Sequence, residues 1–173
     1  RNHQPPAVHP VDDDPGDRVT FLLAANPGMA PAPIQRAASG GELSRVLLAL
    51  RLVLSGGPDT MVFDEVDAGI GGATALEVGS ALSEVAETSQ VLVVTHLAQV
   101  AAHADQQVRI AKSADEDATT TTVESVGGEA RVVELSRMLS GTPDSAAARS
   151  NAKDLLERVP RRAPDPSTAG PTR

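Results

Sequence analysis

Three short stretches hold residue types suited to phosphate chemistry: Ser39-Gly40-Gly41-Glu42, the pair Asp64-Glu65, and His96. In the first, two glycines stand at the mouth of a helix-prone run, E-L-S-R-V-L-L-A-L. One reading is a capping box, in which Ser39 caps the helix and Glu42, three residues on, reaches back to it. A cap has no need of glycines, and alanine would favour the helix by about 1 kcal/mol per site. The other reading is therefore an anion that approaches the backbone closely, drawn by unpaired N–H groups and the positive end of the helix dipole. Both readings stay open on the sequence alone.

Asp64 and Glu65 follow the apolar run Met61-Val62-Phe63. A carboxylate at the end of a buried strand can hold Mg²⁺, directly or through water. The next carboxylate can orient or deprotonate a water that attacks a phosphoryl group. An ordinary acidic loop is the plainer alternative. His96 closes another apolar run, Val91 to Val94. It can donate a hydrogen bond to a phosphate oxygen, and a hydrogen-bonded structural histidine is the plainer alternative.

Other patterns lead nowhere. In Gly69-Ile70-Gly71-Gly72-Ala73-Thr74 the third glycine of a dinucleotide fingerprint is replaced by Thr74. There is no G-x-S-x-G nucleophile elbow. His3 and His9 fall in a Pro/Asp-rich lead, His103 on a helix surface, and Arg158, Arg161 and Arg162 read as a solvated tail.

These residues need a scaffold, and the composition bounds it. The chain has 173 residues, a net charge of −8, no cysteine and only two aromatic residues, both Phe. Such a length suits one domain, whose core must be built from Leu, Val, Ile and Ala. The acidic balance argues against a nucleic-acid surface on this chain. The absence of cysteine removes disulfides and thiolate metal sites, and no apolar run is long enough for a membrane span.

Along the chain, residues 1–17 read as a disordered lead or linker. Arg18 to Ala25 alternates as a strand, and Asn26-Pro27-Gly28 turns the chain. A helix follows Ser39, with apolar Leu43, Val46, Leu47, Leu50, Val53 and Leu54 at three- and four-residue steps. Thr60 to Phe63 and Val91 to Val94 read as buried parallel strands. Between them runs a helix with Ala75, Val78, Leu82 and Val85 on one face and Glu77, Glu84 and Glu87 on the other. A short helix over Leu97 to Ala104, a hairpin around Ser113 to Asp117, and helices near Glu129–Leu139 and Pro143–Arg158 complete residues 18–158. Residues 159–173 read as a disordered tail. The alternation predicts an α/β fold with a mainly parallel sheet, flanking helices and a β-hairpin near the C-terminal end. In such sheets ligands sit at the carboxyl ends of the strands, where Asp64, Glu65 and His96 all lie.

Taken in order, these pieces resemble the C-terminal lobe of an ABC-type ATPase head, a P-loop NTPase. Within that class they are most similar to the RecN family of bacterial DNA-repair proteins, relatives of the SMC proteins. The resemblance rests on A-S-G-G-E-L-S-R (Ala38–Arg45), F-D-E-V-D-A-G-I-G-G (Phe63–Gly72) and V-T-H-L-A-Q-V-A-A-H-A-D (Val94–Asp105). F-L-L-A-A-N-P-G (Phe21–Gly28) and R-M-L-S-G (Arg137–Gly141) extend it. Ala98 departs from it, since many members carry proline there. No G-x-x-x-x-G-K-[ST] phosphate loop occurs.

The resemblance implies roles. Ser39 to Glu42 would be the signature motif, touching the ATP of the opposite head. Asp64 would be the Mg²⁺-side carboxylate, Glu65 the catalytic glutamate and His96 the switch histidine. Asp67 would sit at the head–head seam. The implied cofactors are ATP and Mg²⁺. The implied partners are an N-terminal Walker A lobe of the same protein, a second identical head, and DNA through other segments, with no membrane. The implied setting is the cytoplasm, at the nucleoid, and the implied work is ATP-driven head dimerisation that gates coiled coils on DNA. An SMC-type or transporter head, and a catalytically silent ABC-like lobe, are the alternatives.

Overall fold

The computed structural model describes residues 19–24, 28–54, 57–115, 118–142 and 145–159. The expected lead, the Asn26-Pro27 part of the first turn, the hairpin tip at 116–117 and residues 160–173 of the expected tail lie outside them, whereas Val159, expected in that tail, is described and buried. The chain divides into two compact units, residues 1–38 and 39–173.

In the first unit, strand β1 (Leu22–Leu23) pairs antiparallel with β2 (Ala32–Pro33), and one helical turn, α1 (Ile34–Ala37), follows. The strand expected over Arg18 to Ala25 is thus only two residues long. Its partner stretch carries Pro31 and Pro33, which have no N–H to give to a ladder. Val19 and Phe21, the outer members of the alternation, are exposed.

The second unit opens with helix α2 (Gly40–Val53), whose start is the capping box the sequence suggested. Ser39 Oγ accepts from the Glu42 amide at 3.3 Å, and Glu42 Oε2 accepts from the Ser39 amide at 2.7 Å. The face it buries differs from the expected stripe. Gly41 and Leu48 are buried, whereas Leu43, Leu47, Val53 and Leu54 are exposed. Strand β3 (Thr60–Phe63) pairs in parallel with β4 (Gln90–Val93), with Thr60 opposite Gln90 and Phe63 opposite Val93. Helix α3 (Gly72–Val85) crosses between them and buries the predicted face, Ala75, Val78, Leu82 and Val85. Met61 and Phe63 join that core, but Val62, Leu92 and Val94 are exposed. The strand pair is therefore covered on one face, not on both as its apolar runs suggest.

A single turn of helix, α4 (Ala98–Ala101), leads to the hairpin β5 (Gln107–Asp115) and β6 (Ala118–Val126), paired antiparallel along its whole length. Helices α5 (Gly128–Ser140) and α6 (Ala146–Arg158) finish the unit. The expectation of a mainly parallel sheet is met only by β3–β4; the other two strand pairs among the described residues are antiparallel.

Two apolar cores result. The first gathers Leu48, Phe63, Val66, Val78, Leu82 and Val100 beneath β3 and β4. The second gathers Ala98, Ala101, Ala102, Leu135, Ala152 and Leu156 between α4, α5 and α6. Helix α4 contributes to both, with Val100 on one side and alanines on the other. Its C-terminal carbonyls are capped from α5: an Arg131 Nη donates to the oxygens of Ala101, Ala102 and Ala104 at 3.0, 3.0 and 2.7 Å. No helix among the described residues is long and apolar enough to cross a membrane.

Candidate phosphate-handling site

Helix α2 meets the loop after β3 through its first two turns. Positions 41, 44, 45 and 48 share one helix face, being three and four residues apart. Gly41 is buried there. A Cβ on it would lie 2.8 Å from both Ala68 Cβ and the Glu65 carbonyl oxygen. A Cβ on the exposed Gly40 would run into the Glu65 carboxylate. The two glycines thus allow helix and loop to touch. Ser44 Oγ donates to the Asp64 carbonyl at 2.7 Å, and Arg45 Nη1 donates to the carbonyls of Val66 and Ala68 at 3.2 and 2.8 Å. The motif reading singled out neither Ser44 nor Arg45. Their helical spacing from Gly41 is the signal that would have found them.

The loop itself is tight. Glu65 has φ +57°, the only positive φ outside glycine among the described residues. A side chain in this region costs on the order of 1 kcal/mol, and such strain persists where surrounding contacts fix it, often at functional sites. Here the Glu65 amide donates to Asp64 Oδ1 at 2.9 Å, and the Glu65 carbonyl accepts from the Ala68 amide at 2.9 Å. Both the Asp64 and Glu65 side chains are exposed to solvent. Among the described residues, no group of three or more His, Asp or Glu side chains converges on a metal-sized site.

His96 is brought to Asp67. The Asp67 residue is 3% exposed. Its Oδ2 accepts from the Thr95 hydroxyl, from the His96 amide at 3.0 Å, and lies 3.1 Å from His96 Nδ1. Burial pushes the Asp67 carboxyl up, but the Thr95 hydroxyl, the His96 amide and the His96 ring outweigh it and hold the group below the ordinary aspartate value. The His96 side chain is itself 73% exposed. Thr95, whose hydroxyl also accepts from the Leu97 amide at 3.0 Å, is a third residue the motifs did not flag. Glu42 is also held below the ordinary glutamate value, by the Ser39 amide and then the Ser39 side chain.

So Ser39–Glu42, Asp64–Ala68 and Thr95–His96 form one chain of contacts. It offers an exposed acidic doublet, an exposed imidazole and a capped helix start, the donor and acceptor types that phosphoryl chemistry uses.

No family model matches the chain. It is 52% identical over 143 residues to the DNA repair protein RecN of Streptomyces coelicolor, covering 82% of this chain and 25% of the relative. It is 47% identical over 142 residues to RecN of Treponema pallidum (81% and 25%) and 46% identical over 151 residues to RecN of Deinococcus radiodurans (87% and 26%). The chain spans about a quarter of the length of these curated relatives. A solved SMC ATPase structure aligns over 70% of this chain and 81% of its own, with a TM-score of 0.45 and 24% identity, a likeness too low to carry an argument.

Proposed function

We propose, from its identity to RecN proteins over about a quarter of their length, that the chain is a RecN-family segment forming the C-terminal lobe of an ATPase head serving DNA repair. The observation that carries this reading is the direct packing of the Gly40–Gly41 helix start onto the Asp64–Ala68 loop. It ties the part that would sense a phosphate to the part that would hydrolyse it.

In this reading Asp64 takes a Mg²⁺-side oxygen and Glu65 accepts a proton from the attacking water. His96 donates to a terminal phosphate oxygen, and Ser39 with the amide of the exposed Gly40 meets the nucleotide of a second head, while the buried Gly41 seats the helix start on the loop. Mg²⁺, when bound, supplies charge neutralisation between the phosphates. The phosphate loop belongs to an N-terminal lobe, and a two-headed assembly closes on two nucleotides. The exposed apolar side chains of Val62, Leu92 and Val94 suit that lobe as a cover. DNA is met by other segments, in keeping with the charge of −8.

The test is Glu65→Gln in the full-length protein. Turnover of ATP is expected to fall about 10²–10⁴-fold, the usual worth of a general base, while ATP-dependent head pairing persists. Turnover equal to wild type would remove Glu65 from the role, and no turnover by wild type would leave the silent-lobe alternative standing.

A further inference from the structure

We infer that Asp67 is the positioning residue for His96, acting from behind the ring within the same chain: its buried carboxylate anchors the Thr95-His96 turn and pairs with the imidazolium at Nδ1, so that Nε2–H faces outward to donate to a phosphate oxygen. The inference rests on the ATPase reading for the last clause only.

Three contacts converge on one oxygen. Asp67 Oδ2 accepts from the Thr95 hydroxyl and the His96 amide, and His96 Nδ1 stands 3.1 Å from it as an ion-pair contact. A carboxylate only accepts hydrogen bonds, so the contact is favourable when the facing Nδ1 carries hydrogen, and Nε2 donates as well only in the imidazolium, where both ring nitrogens are protonated. The carboxylate is 4% exposed at its side chain and the imidazole 73%. The anchor is therefore fixed in the protein and the working group faces outward. The turn is locked a second time, since Thr95 Oγ1 also accepts from the Leu97 amide at 3.0 Å. This is the logic of a base oriented by a third group, applied to a hydrogen-bond donor. It assigns Asp67 a task inside one head, where the family resemblance implies one between heads.

The experiment has two arms, both on the full-length protein. The first needs no nucleotide: histidine-selective ¹⁵N labelling and long-range ¹H–¹⁵N correlation, with His96→Gln to assign the ring. Nδ1 of His96 is expected to be protonated, and an unprotonated Nδ1 overturns the inference even if ATP is hydrolysed. The second is kinetic. Asp67→Asn is expected to lower kcat about 10-fold or more, within the range for a misplaced catalytic group, and to leave the KM for ATP within about 2-fold. In a His96→Ala background the same substitution is expected to change kcat by no more than about 2-fold, because its effect runs through the missing ring. Losses that multiply in the double variant, or an Asp67→Asn protein as fast as wild type, overturn the inference. Should wild type not hydrolyse ATP, the ATPase reading fails and the nitrogen-protonation arm still decides the anchor.

Discussion

At Gly41 a methyl group has nowhere to go, because Ala68 Cβ and the Glu65 carbonyl both stand 2.8 Å from where it would sit. Gly41→Ala is expected to destabilise the chain by about 1–2 kcal/mol: an overpacking cost of up to about 3 kcal/mol against a helix-propensity gain of about 1. Urea denaturation checks it. Gly40→Ala is a useful contrast. The obstacle there is the tip of the Glu65 side chain, which can swing away. Stability is expected to stay within about 0.5 kcal/mol of wild type, while turnover by the full-length protein falls because the displaced carboxylate is the proposed base. The sequence itself announced that something comes close to these glycines. It could not say that Glu65 and Ala68 do so, because contacts between residues more than twenty positions apart are set by how α2 docks. The same holds for Asp67. Its motif position drew attention, but its burial and its grip on Thr95 and His96 depend on the parallel pairing of β3 with β4.

At the scale of elements, the periodic segments were readable and their environment was not. Helix α3 buries the predicted face because its apolar spacing is clean and nothing competes for it. Helix α2 has apolar residues on most sides, so periodicity could not choose among them. The choice fell to Gly41 and Leu48, where small size and a hydrogen-bonding neighbour, Arg45, allow the closest approach. Element-level interactions also predict a pH response. The carboxyls of Glu42 and Asp67 lie below their ordinary values in the folded chain. Their contribution to stability is therefore complete above the ordinary carboxylate range, about 4, and is lost as pH falls through the depressed values. Urea midpoints measured downward from pH 6 are expected to drop below about pH 4, and to drop less in an Asp67→Asn variant. Between α5 and α4, Arg131→Ala is expected to cost about 1–3 kcal/mol, because three carbonyls lose a charged donor. Thermal melts of the variant check this.

For the molecule as a whole, the exposed Val62, Leu92 and Val94 are the informative surface. Their runs were read as buried strands, a pattern made for two covered faces, and only one face is covered. On the proposed function the 173-residue chain alone turns over no ATP, since it carries no phosphate loop. Adding the N-terminal lobe is expected to restore turnover. Leu92→Lys is expected to make the isolated chain less prone to self-association in sedimentation velocity, and to prevent that restoration, because a charge would then face the joining lobe. Equal self-association in wild type and variant would count against an apolar docking face.

Helix α4 is four residues long and belongs to both apolar cores. Drawing Val100 out of one cluster pulls Ala101 and Ala102 from the other, so neither cluster can melt while its neighbour stays dry. Residues 39–173 should then denature in a single calorimetric step, and a nudge at the Thr95–His96 turn, just ahead of that shared wedge, would reach α5 and α6 as mechanical displacement with no ligand touching them.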